Sequence, residues 1–411
     1  MKRCSATVSK SWLEAVAERA KSALSKPAPY GVDLDIEPYL KAPLAGKPVG
    51  EEAVAEAEEA AREAVGFEPS ARAKYVQLDQ AYFKYMSRLP GVEVKRLEDF
   101  VDENPDEARE YVWRLVDPAS DKYTALAALK GAGGYFIRVK ENSRVEDPVM
   151  ACLFLTGGLQ APHNIVILEK NAQATVYTGC TLAPEAAGLH VGISEFYVGE
   201  NAELRFVMVH AWNAVTHVRP RTGVYVADGG KYVSYYVNMS AVKTLQTYPM
   251  VTLKSGAYAL LASVLLGRGD SVQDVGGEVV IEGSESSAEI VSRVVARDSS
   301  KVVTRARISA NSGVSAKGHI ECRGLLLSDS AVIEAVPELE SSSTNAVLTH
   351  EASIGKLAEE EIYYLVSRGF TRDEAIGILV RGFVSIDIKG LPPKVKSYIE
   401  TLEKMVADKA L

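Results

Sequence analysis

The sequence predicts a mainly β protein with a right-handed parallel β-helix core and α-helical regions at both ends. Three observations support this fold class. From about residue 135 onward, runs of Val, Ile, Leu and Tyr alternate with polar residues, as they do in strands. The Gly, Asn, Ser and Asp residues that separate these runs return about every 28 residues, which is typical of a solenoid. Segments with helical spacing of apolar residues lie before and after these runs and not between them.

The first 115 residues or so are predicted to be helical. Residues 11–25 have apolar side chains close to a 3.6-residue spacing, and residues 51–65 are rich in Ala and Glu, which favours helix. The Pro- and Gly-rich residues 26–50 are predicted to form an extended linker. A third helix is predicted after Pro69 and Ser70, with one apolar stripe formed by Tyr75, Leu78, Tyr82 and Met86.

The repeat in the middle of the chain can be followed through equivalent turn residues. Asn171, Asn201, Gly229, Gly256 and Ser284 each follow a short apolar run, and each lies about one repeat after the one before it. We therefore expect each repeat to be one coil of a parallel β-helix, with two strands and two turns. A β-sandwich is the alternative, but sandwiches do not show such a repeat.

Helices are predicted again at the end of the chain. Residues 354–368 are amphipathic and stop at Gly369, and Thr371 to Glu374 form a capping box for a helix over 375–382. A last helix is expected over 393–410. We expect these helices to cover the unpaired strand edges at the end of the β-helix. The predicted domains are 1–130, 131–350 and 351–411.

Composition excludes several classes of function. The 411 residues carry 46 Lys and Arg against 54 Asp and Glu, a net charge of −8, which argues against general nucleic-acid binding. No apolar run is long enough to span a membrane, and residues 1–14 lack an apolar signal core. Four scattered cysteines are too few for a disulfide scaffold. We therefore expect a cytoplasmic protein with free thiols.

The repeat also makes a prediction about the cysteines. Cys152 and Cys180 are separated by one full repeat, and so are Cys322 and His350. Residues one coil apart have similar positions around the solenoid, so these side chains are expected along one side of it. His163, His190 and His217 are equally spaced at nearly the same interval, which we attribute to their place in the coil and not to a site.

Cys322 and its surroundings are the strongest candidate site. The adjacent Arg323 is expected to lower the pKa of Cys322 and favour the thiolate, although a small buried apolar role is the alternative. Glu351 directly follows His350. A converging thiolate, imidazole and carboxylate would suit iron, whereas a polar loop is the ordinary explanation of a His-Glu pair. No enzyme active site emerges from the residues.

Several segments resemble the SufB/SufD family of iron–sulfur cluster assembly proteins. The most specific are HEASIGK at 350–356, EEEIYYLVSRG at 359–369, EAI at 374–376 and VRGF at 380–383. HNIVI at 163–167 and TGCT at 178–181 are also similar to that family. The resemblance covers about residues 135–390, and it implies a parallel β-helix with helical ends.

The resemblance also implies a function. Such proteins assemble with the SufC-type ABC ATPase into a scaffold that receives persulfide sulfur from a cysteine desulfurase and builds a transient iron–sulfur cluster. By motif match, Cys180 would receive sulfur, Cys322 would carry it and bind the cluster, and His350 and Glu351 would lie at a dimer interface. FADH2 is a further candidate cofactor.

Two further sets of residues follow from the resemblance. His210 and Trp212 would line the sulfur path, with His210 where SufB usually carries a glutamine. The helical segment that would dock the ATPase contains Tyr364, Arg368, Gly369, Ile376, Val380 and Phe383.

The resemblance leaves the subunit type open. SufD generally keeps the histidine but lacks the cysteine at position 322, so this chain is chemically similar to SufB. It is shorter than usual SufB, and Cys4 is isolated instead of belonging to a cysteine motif. These features suggest a homodimer that combines both roles. A SufD-like subunit that pairs with a separate SufB chain is the alternative, and a β-helix carbohydrate-active enzyme would need a secretion signal and clustered acids that are not evident.

Overall fold

The computed structural model describes residues 11–41, 50–388 and 393–410, and Cys4 lies outside these ranges. Strands account for 42% of the structure and helices for 24%, and the strands wind into a β-solenoid of about 8 turns. The predicted β-helix core with helices at both ends is therefore confirmed. No helix within the described ranges is long and apolar enough to cross a membrane.

The N-terminal region contains six helices among its described residues. The predicted helices over 11–25 and 51–65 are confirmed as α1 and α3, and the expected linker contains one short helix, α2. Residues 42–49 of that linker lie outside the described ranges. The six are α1 (Ser11–Lys21), α2 (Glu37–Lys41), α3 (Glu51–Val65), α4 (Leu97–Glu103), α5 (Pro105–Tyr111) and α6 (Lys122–Lys130).

The helix predicted after Pro69 and Ser70 is wrong. This segment forms the antiparallel strands β1 (Ala73–Leu78) and β2 (Tyr82–Ser87). Every residue of β1 is buried, because one face packs into the solenoid interior and the other packs against α3. A strand buried on both faces is apolar at most positions. The apolar residues of such a strand can therefore match the 3.6-residue spacing of a helix although the segment is not helical.

The solenoid consists of two long sheets. The ten-stranded sheet has the order β2-β1-β5-β8-β11-β14-β17-β19-β21-β23, and the other sheet has 13 strands. The two sheets extend beyond the predicted core of 131–350, since β1 pairs with β5 and β23 ends at Lys356. The remaining strands are β3 (Val92–Arg96), β4 (Tyr135–Val139), β5 (Val149–Leu155), β6 (Gly158–Gln160), β7 (His163–Leu168), β8 (Gln173–Leu182), β9 (Gly188–His190), β10 (Ile193–Val198), β11 (Glu203–Ala211), β12 (His217–Val218), β13 (Arg221–Val226), β14 (Lys231–Asn238), β15 (Thr244–Thr247), β16 (Met250–Leu253), β17 (Tyr258–Gly267), β18 (Val272–Ile281), β19 (Ser286–Ala296), β20 (Lys301–Ala310), β21 (Ala316–Leu326), β22 (Val332–Ser341) and β23 (Ala346–Lys356).

The early coils contain three strands each instead of the predicted two. Short strands such as β6 and β7 are separated by Pro162, and Pro220 and Pro249 occupy the same gap in later coils. Proline has no N–H to contribute to a sheet, so the second wall of the coil is broken there. The break disappears at β18, which pairs with both β15 and β16. From β17 to β22 each coil has the predicted two strands.

The predicted turn positions are confirmed by the backbone. Asn171, Asn201, Gly229 and Gly256 all have positive φ, a conformation that Asn and Gly tolerate best. Ser284 directly precedes Glu285, which has φ of 60°. The side chain of Asn171 also donates a hydrogen bond of 2.8 Å to Asn142 on the preceding coil. Equivalent turns therefore stack along the solenoid.

The C-terminal region contains α7 (Glu359–Val366), α8 (Arg372–Val384) and α9 (Pro393–Ala410). The capping box of Thr371 and Glu374 is confirmed, as is the last helix. The helix predicted from residue 354 starts later, because β23 continues to Lys356. Helices α8 and α9 pack on the outer face of the ten-stranded sheet, so the prediction that these helices cover the end of the solenoid is wrong. Residues of β22 and β23 are mostly exposed.

A buried carboxylate attaches the N-terminal region to the solenoid. Glu195 on β10 is fully buried and accepts hydrogen bonds of 2.5–3.1 Å from four consecutive backbone N–H groups, those of residues 113–116. It also lies 2.7 Å from Nε2 of His163. These contacts give His163 a structural role.

Candidate functional site

The inner face of the ten-stranded sheet carries two of the described cysteines. Successive strand residues point to opposite faces. Cys180 on β8 and Cys322 on β21 belong to the interior core, whereas Cys152 on β5 lies on the outer face with α3. The predicted alignment of Cys152 with Cys180 is wrong, because Cys152 is paired with Gly179. The local coil is one residue shorter than the repeat, and a difference of one residue reverses the face.

A row of polar and sulfur-containing side chains connects these two cysteines inside the solenoid. The Sγ atom of Cys180 lies 3.7 Å from Sδ of Met208, and the hydroxyls of Ser263 and Ser292 are 3.1 Å apart. A cavity of about 60 Å³ lies along the row between its two ends. We call this the interior row; its in-register members on successive strands are Met208, Tyr236, Ser263, Ser292 and Cys322.

Cys180 lies at one end of the interior row beside two histidines. His210 on β11 is its register partner. Ligand atoms of Cys180, His190 and His210 all lie within 4.8 Å of one another. The ring of Trp212 is 5.0 Å from the ring of His190 and 5.5 Å from that of His210. The two residues predicted to line a path, His210 and Trp212, are therefore in the interior next to Cys180.

His190 is a residue of this group that the sequence did not identify. The equal spacing of the three histidines does not align them, because His163 is paired with Ile193 and His217 with Leu189. His190 is instead paired with Gln160. The sequence shows only a histidine between Leu189 and Val191, a context that gives no signal of a site.

Burial keeps all three groups neutral. It raises the pKa of Cys180 well above its ordinary value and lowers the pKa of His190 to about 3. The pKa of His210 is also well below its ordinary value, because of burial and because His190 lies nearby. Removing the charged forms from water is unfavourable for each of them. Transfer of the thiol proton to either imidazole is therefore unfavourable inside this enclosed group.

Cys322 lies at the other end of the interior row and is 3% exposed. Burial raises its pKa, although a hydrogen bond with Thr304 and the charge of Arg293 act in the opposite direction. The expectation that Arg323 lowers this pKa is wrong. Arg323 lies on the outer face of β21, where its guanidinium pairs with Glu321 at 2.6 Å.

His350 and Glu351 lie on β23, the last strand of the solenoid. Ile320 is the register partner of His350, and Ala352 is that of Cys322, so the predicted one-coil alignment of Cys322 with His350 is wrong by two residues. An offset of two keeps both side chains on the inner face, with their Cα atoms roughly 8 Å apart. Glu351 points to the opposite face. Both His350 and Glu351 are exposed.

The residues predicted to dock a partner differ in exposure. Tyr364 is 58% exposed, and Arg368 donates a hydrogen bond of 3.1 Å to its hydroxyl. Gly369 has φ of 100° after α7. Val380 is fully buried, and Ile376 and Phe383 pack partly against the same cluster. The exposed members among these six residues therefore lie on α7 and in the turn that follows it.

Comparisons with known proteins agree with this architecture. Residues 154–383 match the protein family described as SUF system FeS cluster assembly, SufBD core domain. The chain is 41% identical over 396 residues to an iron–sulfur cluster assembly SufBD family protein of Methanothermobacter thermautotrophicus, covering 92% of this chain and 95% of that one. A protein with the same description from Archaeoglobus fulgidus is 42% identical over 332 residues, covering 80% and 89% of the two chains. One from Pyrococcus horikoshii is 36% identical over 306 residues, covering 74% and 68%.

Proposed function

Because the chain belongs to the SufBD family of iron–sulfur cluster assembly proteins, we propose that it is the scaffold on which a nascent cluster is built. In this proposal it is not an enzyme in its own right. It acts in the cytoplasm, receives persulfide sulfur from a cysteine desulfurase and works with a SufC-type ABC ATPase. The free thiols of Cys152, Cys180 and Cys322 suit a reducing compartment.

The interior row is the observation that supports this proposal best. It offers thiol, thioether and hydroxyl groups on five successive strands between Cys180 and the open end of the solenoid. The surrounding core is apolar, so water would have limited access to a reactive persulfide. His210 and Trp212 would enclose the entrance to this path.

Sulfur would move along the row by exchange between thiol and persulfide groups. The Cys180 thiolate attacks the terminal sulfur of the donor's persulfide, the S–S bond of the donor breaks, and the donor leaves as a thiolate. The Cys180 proton passes to the departing donor thiolate, because burial holds the pKa of His190 and of His210 far below that of the thiol. Cys322 lies five strand spacings from Cys180, about 24 Å, and the row has no thiol between them. A sulfide ion would therefore carry the outer sulfur: HS⁻ takes it from the Cys180 persulfide as HSS⁻ and restores Cys180, the Cys322 thiolate then takes it from HSS⁻, and HS⁻ is released.

Cluster formation needs two electrons for each transferred sulfur, because sulfane sulfur must become sulfide. FADH2 is a candidate reductant in this proposal. The cavity of about 60 Å³ is too small for an isoalloxazine ring, so the flavin would act from outside the solenoid. Iron is a substrate of the assembly and not a resident cofactor.

The cluster would form at the open end of the solenoid, between two copies of the chain. Cys322 and His350 share the inner face there and would supply thiolate and imidazole ligands to iron. Glu351 faces outward and would complete the site from the second copy. The exposed residues Tyr364 and Arg368 would contribute to ATPase docking beside α7, while Val380 would support α8 from within.

Replacement of the two interior cysteines tests the proposal. Cys322→Ser should abolish cluster formation, measured by visible absorbance after anaerobic reconstitution. Cys180→Ser should lose persulfide-driven assembly but retain assembly from free sulfide. Cys152→Ser is the matched control, because Cys152 is also buried in the ten-stranded sheet but faces outward, and it should behave like the unmodified chain. Normal reconstitution by Cys322→Ser would refute the scaffold assignment.

A SufD-like structural role is the second candidate, and the environment of Cys322 favours it. That thiol is almost fully buried and its pKa is raised, as expected for an unreactive side chain. In that case the chain would pair with a separate SufB-type chain. Native mass measurement of the purified complex distinguishes the two: two different polypeptides support the scaffold role, and three support the SufD-like role.

A further inference from the structure

Three potential metal ligands come together inside the solenoid, away from its open end. They are the sulfur of Cys180 and one ring nitrogen each of His190 and His210, all within 4.8 Å of one another. Each of the three residues is at most 1% exposed. They come from β8, β9 and β11, so both walls of the solenoid contribute to the group.

The hydrogen bonds of Gln160 fix which nitrogen of His190 is available. The Nε2 of Gln160 donates to the backbone oxygens of Phe154 at 3.0 Å and Asp79 at 3.4 Å. Its Oε1, which can only accept, lies 2.9 Å from Nδ1 of His190. His190 must therefore carry its proton on Nδ1, which leaves the lone pair on Nε2. An outer hydrogen bond of this kind is how proteins orient metal-binding histidines.

His210 has the same arrangement with a different outer partner. Its Nδ1 lies 2.9 Å from the hydroxyl of Tyr236, which can accept that proton. Its Nε2 is buried and has no hydrogen-bond partner. An unpaired buried nitrogen is unfavourable unless something else satisfies it. The thioether of Met208, 3.7 Å from the sulfur of Cys180, adds a soft donor beside the group.

We propose that Cys180, His190 and His210 form a binding site for one soft monovalent cation of the Cu(I) class. Thiolate, thioether and imidazole together select soft metals. The group contains no carboxylate, so one thiolate neutralises a monovalent ion, whereas a divalent ion would leave a positive charge in an apolar interior. Three ligands around one ion with bonds of about 2.0–2.3 Å lie about 3.5–4.0 Å apart. The three atoms, which are within 4.8 Å of one another, therefore need to approach by up to about 1 Å.

This inference goes beyond the proposed function and rests on the geometry of the group alone. It has one consequence for the proposed function, because metal binding and persulfide acceptance both require the sulfur of Cys180. A bound cation would occupy the atom that accepts persulfide sulfur. Metal binding and sulfur acceptance by Cys180 therefore exclude each other. A single Cu(I) bound at this group would therefore stop sulfur entry at Cys180.

The test is a Cu(I) titration of the full chain under anaerobic conditions, in competition with a chromogenic Cu(I) chelator. Cys322→Ser is used as the background to remove the other interior thiol. We expect one Cu(I) per chain and weaker binding of Zn(II). Cys180→Ser and His190→Phe should each lower the affinity by more than about 100-fold, and Gln160→Leu by about 10–100-fold. Cys152→Ser should leave the affinity unchanged.

Circular dichroism and thermal unfolding of each variant identify loss of fold. A folded Cys180→Ser variant that keeps full Cu(I) affinity would overturn the proposal, as would tighter binding of Zn(II) than of Cu(I). The result is independent of the scaffold role. If Cys322→Ser fails to form a cluster, that failure reports on the open end of the solenoid. The metal titration in the same variant reports on the group around Cys180.

Discussion

Glu403 shows how one buried carboxylate affects the attachment of the C-terminal helix. It lies on α9, accepts a hydrogen bond of 3.1 Å from the backbone N–H of Ile386 and is 3.2 Å from the hydroxyl of Tyr235. Only 7% of the residue is exposed. Burial raises its pKa above the ordinary value, and these hydrogen bonds only partly offset the effect.

The raised pKa predicts a pH-dependent stability. Since the folded state holds the Glu403 proton more tightly than the unfolded state, this residue favours folding at low pH. That contribution is lost as the pH rises through the unfolded value, about 4.3, and then through the raised folded value. Glu403→Gln should therefore unfold at a higher urea concentration than the unmodified chain at pH 7, and the difference should be smaller near pH 4.

Asp408→Asn is the control for this measurement, because Asp408 is exposed on the same helix and is not among the groups that shift the pKa of Glu403. Its effect should be small and should not change in the same way with pH. If Glu403→Gln were less stable than the unmodified chain at pH 7, the hydrogen bonds of the carboxylate would outweigh its burial, and the prediction would be wrong.

The interior row can be tested at the scale of the strands that carry it. Ser263 on β17 lies between Met208 and Cys322 and lines the cavity. Ser263→Leu should fill that space and prevent sulfur from reaching Cys322, while both cysteines remain in place. Persulfide on each cysteine is measured by peptide mass spectrometry after transfer from the desulfurase. Ser263→Ala keeps the space open and should allow transfer.

Loss of fold is the alternative explanation of a negative result, since extra methylenes in a packed core cost about 1–3 kcal/mol. Thermal unfolding of both variants separates the two explanations. A folded Ser263→Leu variant that still delivers sulfur to Cys322 would show that sulfur does not follow the interior row.

The solenoid could be predicted because each of its turns is determined by residues that are neighbours in the sequence. Asn171 and Asn201 mark positive-φ turns that sequence alone can reveal, and four such positions, together with the turn at Ser284, define the coil. The strands between them vary in length, however, so a constant period cannot assign faces. Cys152 was misplaced for this reason, because its coil is shorter than the one that joins Cys180 to His210.

The candidate site was harder to predict than the coil. Motif resemblance located Cys180 and Cys322, but His190 joins Cys180 only because β9 and β8 belong to facing walls. No interval between residues in the sequence indicates that His190 lies beside Cys180. The hairpin of β1 and β2 was mistaken for a helix for a related reason. Tertiary contacts cover both faces of β1 and leave every residue of that strand buried.

At the scale of the whole molecule, the end of the solenoid is unusually open. β23 has 11 residues and, among the described residues, pairs on one side only, with β21. Val332, Leu339, Val347 and Ile354 on the last strands are 37–62% exposed. A long apolar edge invites pairing with another chain. We therefore expect the chain, of 44.4 kDa, to form a dimer through this end.

A charge at this edge should separate the two copies. Ile354→Asp places a carboxylate on the inner face of β23, where a dimer would bury it without a partner. We expect light scattering after gel filtration to give a mass of 44.4 kDa for this variant and twice that for the unmodified chain. Ile378→Asp is the matched control, because Ile378 on α8 is equally exposed, at 40%, but lies away from the edge. An unchanged dimer in Ile354→Asp, or equal dissociation in both variants, would place the interface elsewhere and remove the basis for a cluster shared between two open ends.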